Sequence, residues 1–261
     1  MIRIGPAGIG GFNKIPKFLE NYNKEGISAG EIPFTYQIWI SNSQAKEIKL
    51  LAEKFNVKLS IHSPYYINLN SSEKEKIEES KKRILNCCER AHYLGAEYVI
   101  FHAGYYGKNK DEAYEIIKKN ILDMQDIIKK NRWDVKLTPE MMGKVNVFGT
   151  SDEILNLVRE TKCHFCIDFA HLFARSNGTM SYNEMCKSLK EFKHIHAHFS
   201  GIEFGLKGEK NHKKTSEKEI EKLGEAIKDN HIKDITIINE SPDPINDSIK
   251  TIDIFKKLKL I

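Results

Sequence analysis

The side chains able to do chemistry in this chain are imidazoles and carboxylates, and they recur at the ends of short apolar runs. His62 follows the run 57–61, His102 follows 98–101, and Glu140 closes KLTPE. Asp168 closes CHFCID, Glu240 closes TIINE, and His196 and His198 lie in HIHAHF. Two further pairs lie just beyond such runs. In Asp168-Phe-Ala-His171 and Glu209-Lys-Asn-His212 a carboxylate and an imidazole stand three residues apart. A donor set of imidazole nitrogen and carboxylate oxygen suits zinc, with manganese and iron as competitors. Carboxylates gathered in one place require cations, because like charges otherwise raise one another's pKa. Any one of these residues alone is unremarkable as a packing or surface group. Metal-competent side chains at six successive strand ends are hard to explain that way.

The elements that must position them alternate. Short apolar runs read as strands at 2–4, 34–40, 57–61, 98–101, 135–138, 164–167, 194–198 and 235–239. Longer, charged, helically patterned stretches follow at 15–22, 44–54, 73–94, 110–130, 151–160, 182–192, 216–229 and 247–257. Ser72, Ser151 and Ser216 stand where N-caps belong. Strand–helix alternation implies a parallel sheet with helical crossovers. Eight units in 261 residues predict one (β/α)8 TIM barrel spanning 1–261, close to the roughly 250 residues usual for that fold. All strands of such a barrel open onto one C-terminal face, where active sites of the fold sit. The Gly-rich opening, 5–11, lacks the GxGxxG spacing of a dinucleotide site.

Composition narrows the classes. Hydrophobic residues make up 40% and charged residues 30%, with a net charge of +5. That balance tolerates a polyanionic partner without establishing one. No run of about 18 apolar residues could span a membrane, and no signal-peptide pattern opens the chain. With five cysteines, an odd number, the expectation is reduced thiols in the cytoplasm. Cys163 and Cys166 have the spacing of a zinc or redox pair. They lie in an alternating strand with no second pair, so they read as buried strand residues. His92 falls inside a helical stretch, and His164, His194 and His231 are not at strand C-termini, so these read as packing or surface residues.

Seven segments together resemble the endonuclease IV family of apurinic/apyrimidinic endonucleases, a branch of the xylose isomerase-like barrels. They are HSPYYINL from His62, FHAG around His102, PE at Glu140, CIDFAHLFA around Asp168, HAHFS from His196, GEKNH ending at His212, and NESP around Glu240. They occur in family order over nearly the whole chain. The resemblance implies a trinuclear zinc centre, with manganese an alternative at some sites. His62 and His102 would hold one zinc, and Glu140 would bridge it to a second completed by Asp168, His196 and Glu240. His171 and His212 would hold the third with Glu209. Setting HAHFS on the family's HxNDS puts His196 at the ligand position. A two-residue slip would put His198 there, and strand periodicity cannot choose between residues that share a face.

Three positions depart from the family pattern. Lys210 occupies the Asp position of the third-zinc Asp-x-His motif, with Glu209 one residue earlier. Phe199 occupies an Asp position in the alignment on His196, and Ser41–Gln44 lacks the family's intercalating Arg. Gln44 could substitute for that Arg, and Tyr65 matches the family's wedge tyrosine. The implied activity is zinc-dependent hydrolysis of duplex DNA 5′ to an abasic site, with Glu140 and Glu240 placing the nucleophilic water. Its products are a 3′-hydroxyl and a 5′-deoxyribose phosphate, and blocked 3′ ends would be trimmed. No obligate protein partner is indicated. The competing expectation is a one-metal sugar isomerase or epimerase using Glu140, Asp168, His196 and Glu240, which has no need of His62, His102, His171 and His212. A non-catalytic binder of damaged DNA is the third.

Overall fold

The computed structural model describes residues Met1–Ile261. Eight parallel strands form the barrel: β1 (Ile2–Pro6), β2 (Ala29–Pro33), β3 (Lys58–His62), β4 (Tyr98–Phe101), β5 (Lys136–Pro139), β6 (Cys166–Asp168), β7 (Ile195–Phe199) and β10 (Ile235–Asn239). Continuous ladders join β2-β3-β4-β5 and β1-β10-β7-β6. Single bridges, Ala7 to Glu31 and Glu140 to Cys166, close the two seams. At the first seam the backbones come so close that a Cβ on Gly5 would overlap the Ala29 carbonyl. The fold is therefore a (β/α)8 TIM barrel, as the strand–helix rhythm predicts. No helix is long and apolar enough to cross a membrane.

The helices α1 (Ile15–Lys24), α2 (Asn42–Lys54), α3 (Lys74–Leu94), α4 (Lys110–Lys130), α5 (Ser151–Thr161), α6 (Phe169–Arg175), α7 (Tyr182–Lys187), α8 (Glu217–Asp229) and α9 (Pro244–Lys257) supply the crossovers and the outer layer. Ile, Leu and Phe from helices and outward strand faces merge into one buried apolar cluster. Ser216 caps α8 as expected, accepting from the Glu219 amide. The cap of α5 is Thr150 rather than Ser151, because only Thr150 has a glutamate three residues on to complete a reciprocal capping box. Glu73, not Ser72, precedes α3 and makes no side-chain cap. The stretch 182–192 is helical only through Lys187.

The largest departure is the second strand. It is Ala29–Pro33, paired in register from Ala29 with Lys58 to Pro33 with His62, rather than 34–40. Phe34 and Ile40 are buried, and Phe34 meets Trp39 edge to face at 6.1 Å. Their apolar character anchors a loop against the core instead of a ladder. The real strand reads AGEIP, whose Gly and Pro look like a turn. Its acidic residue, Glu31, points into the barrel. A second departure lies after β7, where β8 (Gly201–Gly205) and β9 (Gly208–Lys213) form an antiparallel hairpin with a bulge at Glu203/Phe204. All five cysteines are buried and unpaired.

The barrel interior is unusually polar down to its N-terminal mouth, where His164 packs on the Tyr98 ring at 4.5 Å. Burial pushes the His164 imidazole down to about 3, and the neighbouring His196, His194 and Lys136 push in the same direction. An unfolded His164 takes up a proton near pH 6.5 that the folded one refuses. Stability is thus retained above about pH 6.5 and lost as pH falls toward 3. The variant His164→Asn is expected to lose less stability than wild type between pH 7 and 4, measured as urea midpoints. Parallel pH profiles would contradict this.

Candidate metal centre

Alternation places every second residue of a strand inside the barrel, and this brings the strand-end residues together at the C-terminal mouth. Glu140 is central and fully buried. Its Oε2 lies 3.1 Å from Nε2 of both His62 and His102. Its Oε1 lies 3.2 Å from His171 Nδ1 and 3.4 Å from His198 Nδ1. Glu240 Oε1 stands 3.5 Å from the same His198 nitrogen. Asp168 caps α6, its Oδ1 accepting from the His171 amide at 2.8 Å. Its Oδ2 lies 3.4 Å from His171 Nδ1. Glu209 reaches in from the hairpin, with Oε2 3.2 Å from His171 Nε2. His212 meets the His171 ring edge-on at 5.4 Å, and its Nδ1 is 2.7 Å from the Ser200 hydroxyl.

Donor atoms converge in three groups at this mouth: His62, His102 and Glu140; Glu140, Asp168, His198 and Glu240; and Asp168, His171 and His212. Within each group they lie within 4.8 Å of one another. One expected residue stands elsewhere. His198, not His196, joins Glu140, Asp168 and Glu240. Strand register is the cause: Asp168 pairs with His198, and His196 pairs with Cys166 one layer lower. On that register Ser200 and Gly201 fall at the family's Asn and Asp positions. Phe199 is a fully buried ring packed edge-on against Tyr182 at 5.8 Å.

His196 belongs to the layer beneath, which sequence reasoning missed. Glu31, fully buried, accepts from the Ser60 hydroxyl at 2.7 Å and from His196 Nε2 at 3.2 Å. Its other oxygen lies 3.0 Å from His198 Nε2. That ring N–H is off the line between the two atoms, and neither atom has another hydrogen-bond partner. Burial opposes ionisation of Glu31, yet His198 and His196 hold its carboxyl well below the usual range. No Lys or Arg approaches this carboxylate, so imidazoles alone balance it.

The residues fit divalent cations. Asp168 Oδ2 and Glu209 Oε2 are buried without a hydrogen-bond partner, the condition a coordinated ion relieves. The only ammonium nearby, Lys144 Nζ, is 3.8 Å from Glu209. Negative potential dominates. Burial would push His62 down, but the bond to Glu140 and the charges of Glu140, Glu31 and Glu240 raise it to about 9. His171 and His198 are likewise raised well above the ordinary range, against burial, by the surrounding carboxylates. The carboxylates that raise these three imidazoles would equally favour a divalent cation among them.

Two glycines admit the hairpin. A Cβ on Gly208, at φ +89°, would fall 2.0 Å from the Gly143 carbonyl oxygen, and one on Gly143 would fall 2.3 Å from Glu209 Oε2. Gly208→Ala is therefore expected to push β9 outward and withdraw Glu209 and His212. The variant should retain about one cation fewer than wild type by elemental analysis. Unchanged metal content would refute this. Gln44, expected at the DNA surface, is the third residue of α2, and its Oε1 accepts from the Ser41 amide at 2.8 Å in a capping box. Tyr65 is more than half exposed at 56%, and its ring stands 6.2 Å from His62 and 5.9 Å from His102.

Residues 19–200 match the AP endonuclease 2 family, described as a xylose isomerase-like TIM barrel. An uncharacterised protein of Methanocaldococcus jannaschii is 35% identical over 239 residues, covering 87% of this chain and 86% of its own. An apurinic-apyrimidinic endonuclease of Caenorhabditis elegans is 28% identical over 200 residues, 70% of this chain but only 50% of its own length. The crystal structure of endonuclease IV from Thermus thermophilus superposes with a TM-score of 0.74 at 21% identity, covering 99% of this chain and 100% of its own. D-Psicose 3-epimerase from Clostridium cellulolyticum superposes at 0.68 with 13% identity, covering 93% and 92%. At such identities the two structures speak for the fold alone. The family match, spanning more than half of the chain, and the 35% identical relative establish kinship: this chain belongs to the AP endonuclease 2 family of xylose isomerase-like TIM barrels.

Proposed function

We propose that the protein is a metal-dependent hydrolase that cuts duplex DNA 5′ to abasic sites, using one barrel domain spanning residues 1–261. The products on this reading are a 3′-hydroxyl and a 5′-deoxyribose phosphate, and blocked 3′ ends are trimmed. The observation that carries the reading is the surplus of imidazoles around Glu140. His62, His102 and His171 join His198 there, whereas a one-cation isomerase needs a single histidine. Zinc is the ion that this nitrogen and oxygen donor set suits best. Bound cations would lower the pKa of a water and stabilise the attacking and leaving oxygens of an in-line displacement.

The chain's own residues do the rest. Glu140 holds the four imidazoles in one orientation. Glu240, partly open at the mouth, accepts a hydrogen bond from the attacking water. Tyr65 stands over His62 and His102, where a flat side chain fills the gap left by a missing base. Tyr36 and Tyr66, both exposed and with ring centroids 6.2 Å apart, offer stacking surfaces beside it. A site lacking its base stacks poorly, so bending and flipping it costs less than for an intact nucleotide. Lysines around the mouth would contact phosphates without reading sequence. Five unpaired cysteines fit a reducing compartment, the cytoplasm.

The test is incubation of zinc-loaded protein with a duplex carrying one abasic analogue. Incision on the 5′ side, abolished by chelator, is expected. An uncut strand in metal-replete protein would remove the proposal, and saturable binding without cutting would instead favour a damage binder.

A further inference from the structure

Residues 141–149 join Glu140 to α5 and contain no helix or strand of their own. The hairpin nevertheless leans on them. The Val145 amide donates to the Lys207 carbonyl at 3.3 Å, and the Glu209 amide donates to the Gly143 carbonyl at 3.4 Å. A bridge from Lys144 to Gly208 lies between these two bonds. Apart from Gly208, no residue of the hairpin strands is fully buried. The hairpin has no core of its own, so this seam matters for where β9 stands.

One side chain holds the loop side of the seam. Arg175 ends α6, one helical turn beyond His171. Its Nη1 points at the carbonyls of Met142 at 3.1 Å, Lys144 at 2.7 Å and Val147 at 3.1 Å. Its Nη2 donates to the Tyr106 hydroxyl at 3.0 Å and reaches the Val145 carbonyl at 3.4 Å. The Tyr106 hydroxyl donates in turn to Glu153 at 2.8 Å, the residue that completes the capping box of α5. None of the groups that the guanidinium touches is a carboxylate.

Carbonyl oxygens turned toward one point repel one another unless a donor with several N–H groups sits among them. A guanidinium offers five in a rigid fork, whereas an ammonium offers three on a flexible stem. A cation that merely complements the C-terminal end of α6 needs no fork. The acceptors around Arg175 do. With those carbonyls drawn to Arg175, the loop presents the Val145 amide and the Gly143 carbonyl to the hairpin. Across the seam, Glu209 Oε2 stands 3.2 Å from His171 Nε2. Helix α6 therefore reaches this donor group twice, directly through His171 and indirectly through Arg175, the loop and β9.

We infer that Arg175 is a positioning residue for the third donor group: it locks residues 142–147 so that β9 holds Glu209 and His212 against Asp168 and His171. The role rests on the metal-centre reading above. Arg175 hydrogen-bonds to none of the donor side chains, so it acts only through the loop and the hairpin. The groups built on His62, His102 and Glu140 and on Glu140, Asp168, His198 and Glu240 take no residue from the hairpin. They are independent of it.

Two measurements on the full chain test this. Arg175→Lys keeps a charge at the helix end without the fork, and Arg175→Met removes both. In metal-free protein, amide hydrogen exchange over residues 207–212 should be about tenfold faster or more in both variants, with α8 unchanged. After zinc loading and dialysis, wild type should retain about three ions and both variants about two, the third bound about 10–100-fold more weakly. Val145→Pro cuts the seam without touching Arg175. It lies at the second position of the turn closed by the Val147 amide on the Lys144 carbonyl, a position that suits proline. It should speed hairpin exchange in the same direction, and it carries the test if the Arg175 variants fail to fold. Hairpin exchange equal to wild type in the variants would overturn the assignment. So would three ions retained by both Arg175 variants, which would leave a clamp that serves stability alone. Loss of every ion would also overturn it, by tying Arg175 to the whole mouth. Wild type that itself retains no zinc would instead remove the metal centre, and this role with it.

Discussion

Replacing Glu140 by alanine is expected to abolish incision, lowering the single-turnover rate by at least about 10³-fold, or about 4 kcal/mol of barrier. Its two oxygens lie within 3.1–3.4 Å of four imidazoles, and two of the three donor groups share it. Removing it severs both groups at once and leaves His62, His102, His171 and His198 without their common acceptor. Glu140→Gln keeps the volume and one carbonyl oxygen but loses the charge that draws cations in. It should fold and still lose cations from two groups, which distinguishes loss of the centre from loss of the fold. A Glu140→Gln enzyme within tenfold of wild type would show that the carboxylate is not the hub described here.

The second large effect is expected below the metal centre. Glu31→Leu should weaken cation affinity by about 10–100-fold, the usual consequence of removing a group that backs a ligating histidine. Glu31 Oε1 lies 3.0 Å from His198 Nε2, on the side of the ring away from Glu140 and Glu240. With that charge gone, the ring keeps only its Nδ1-side partners, Glu140 and Glu240, and Nδ1 is less firmly aimed at the mouth. Glu31→Leu also strips an acceptor from Ser60 and His196, costing about 1–3 kcal/mol for each buried donor left unpaired. Glu31→Gln keeps one acceptor oxygen and separates the two effects. Its metal-free melting temperature should stay near wild type while chelator competition reports weaker zinc binding. If both substitutions leave zinc affinity unchanged, Glu31 serves packing alone.

How much of this was legible in the sequence depended on the strength of each strand signal. His62, His102, Asp168 and Glu240 follow runs of Val, Ile and Phe that can hardly be anything but barrel strands, so their convergence could be foreseen. Glu31 could not, because AGEIP carries turn residues and the neighbouring FTYQIWI has the stronger apolar pattern. A buried loop and a buried strand bury their side chains equally well, and only the ladder with Lys58–His62 distinguishes them. A usable signal was present: an isolated acidic residue between Gly30 and Ile32, one strand–helix unit before Lys58. The ambiguity between His196 and His198 is of another kind. Residues two apart share a face, so periodicity gives direction but not depth, and depth comes from the register against Asp168. The strand that brings Glu209 and His212 inward, β9, reads GEKNHK and has no apolar alternation. Its position rests instead on the close backbone approach at Gly143 and Gly208.

The centre itself is the claim on which the rest depends, and counting its ions tests it most directly. Protein purified with zinc, dialysed against metal-free buffer and analysed for metal should retain about three ions per chain, one for each donor group at the C-terminal mouth. His198→Ala should lower that number and His196→Ala should change it less. A single retained ion, replaceable by manganese or cobalt supplied in place of zinc, would move the protein to the isomerase reading. Retention of none would contradict the metal centre altogether.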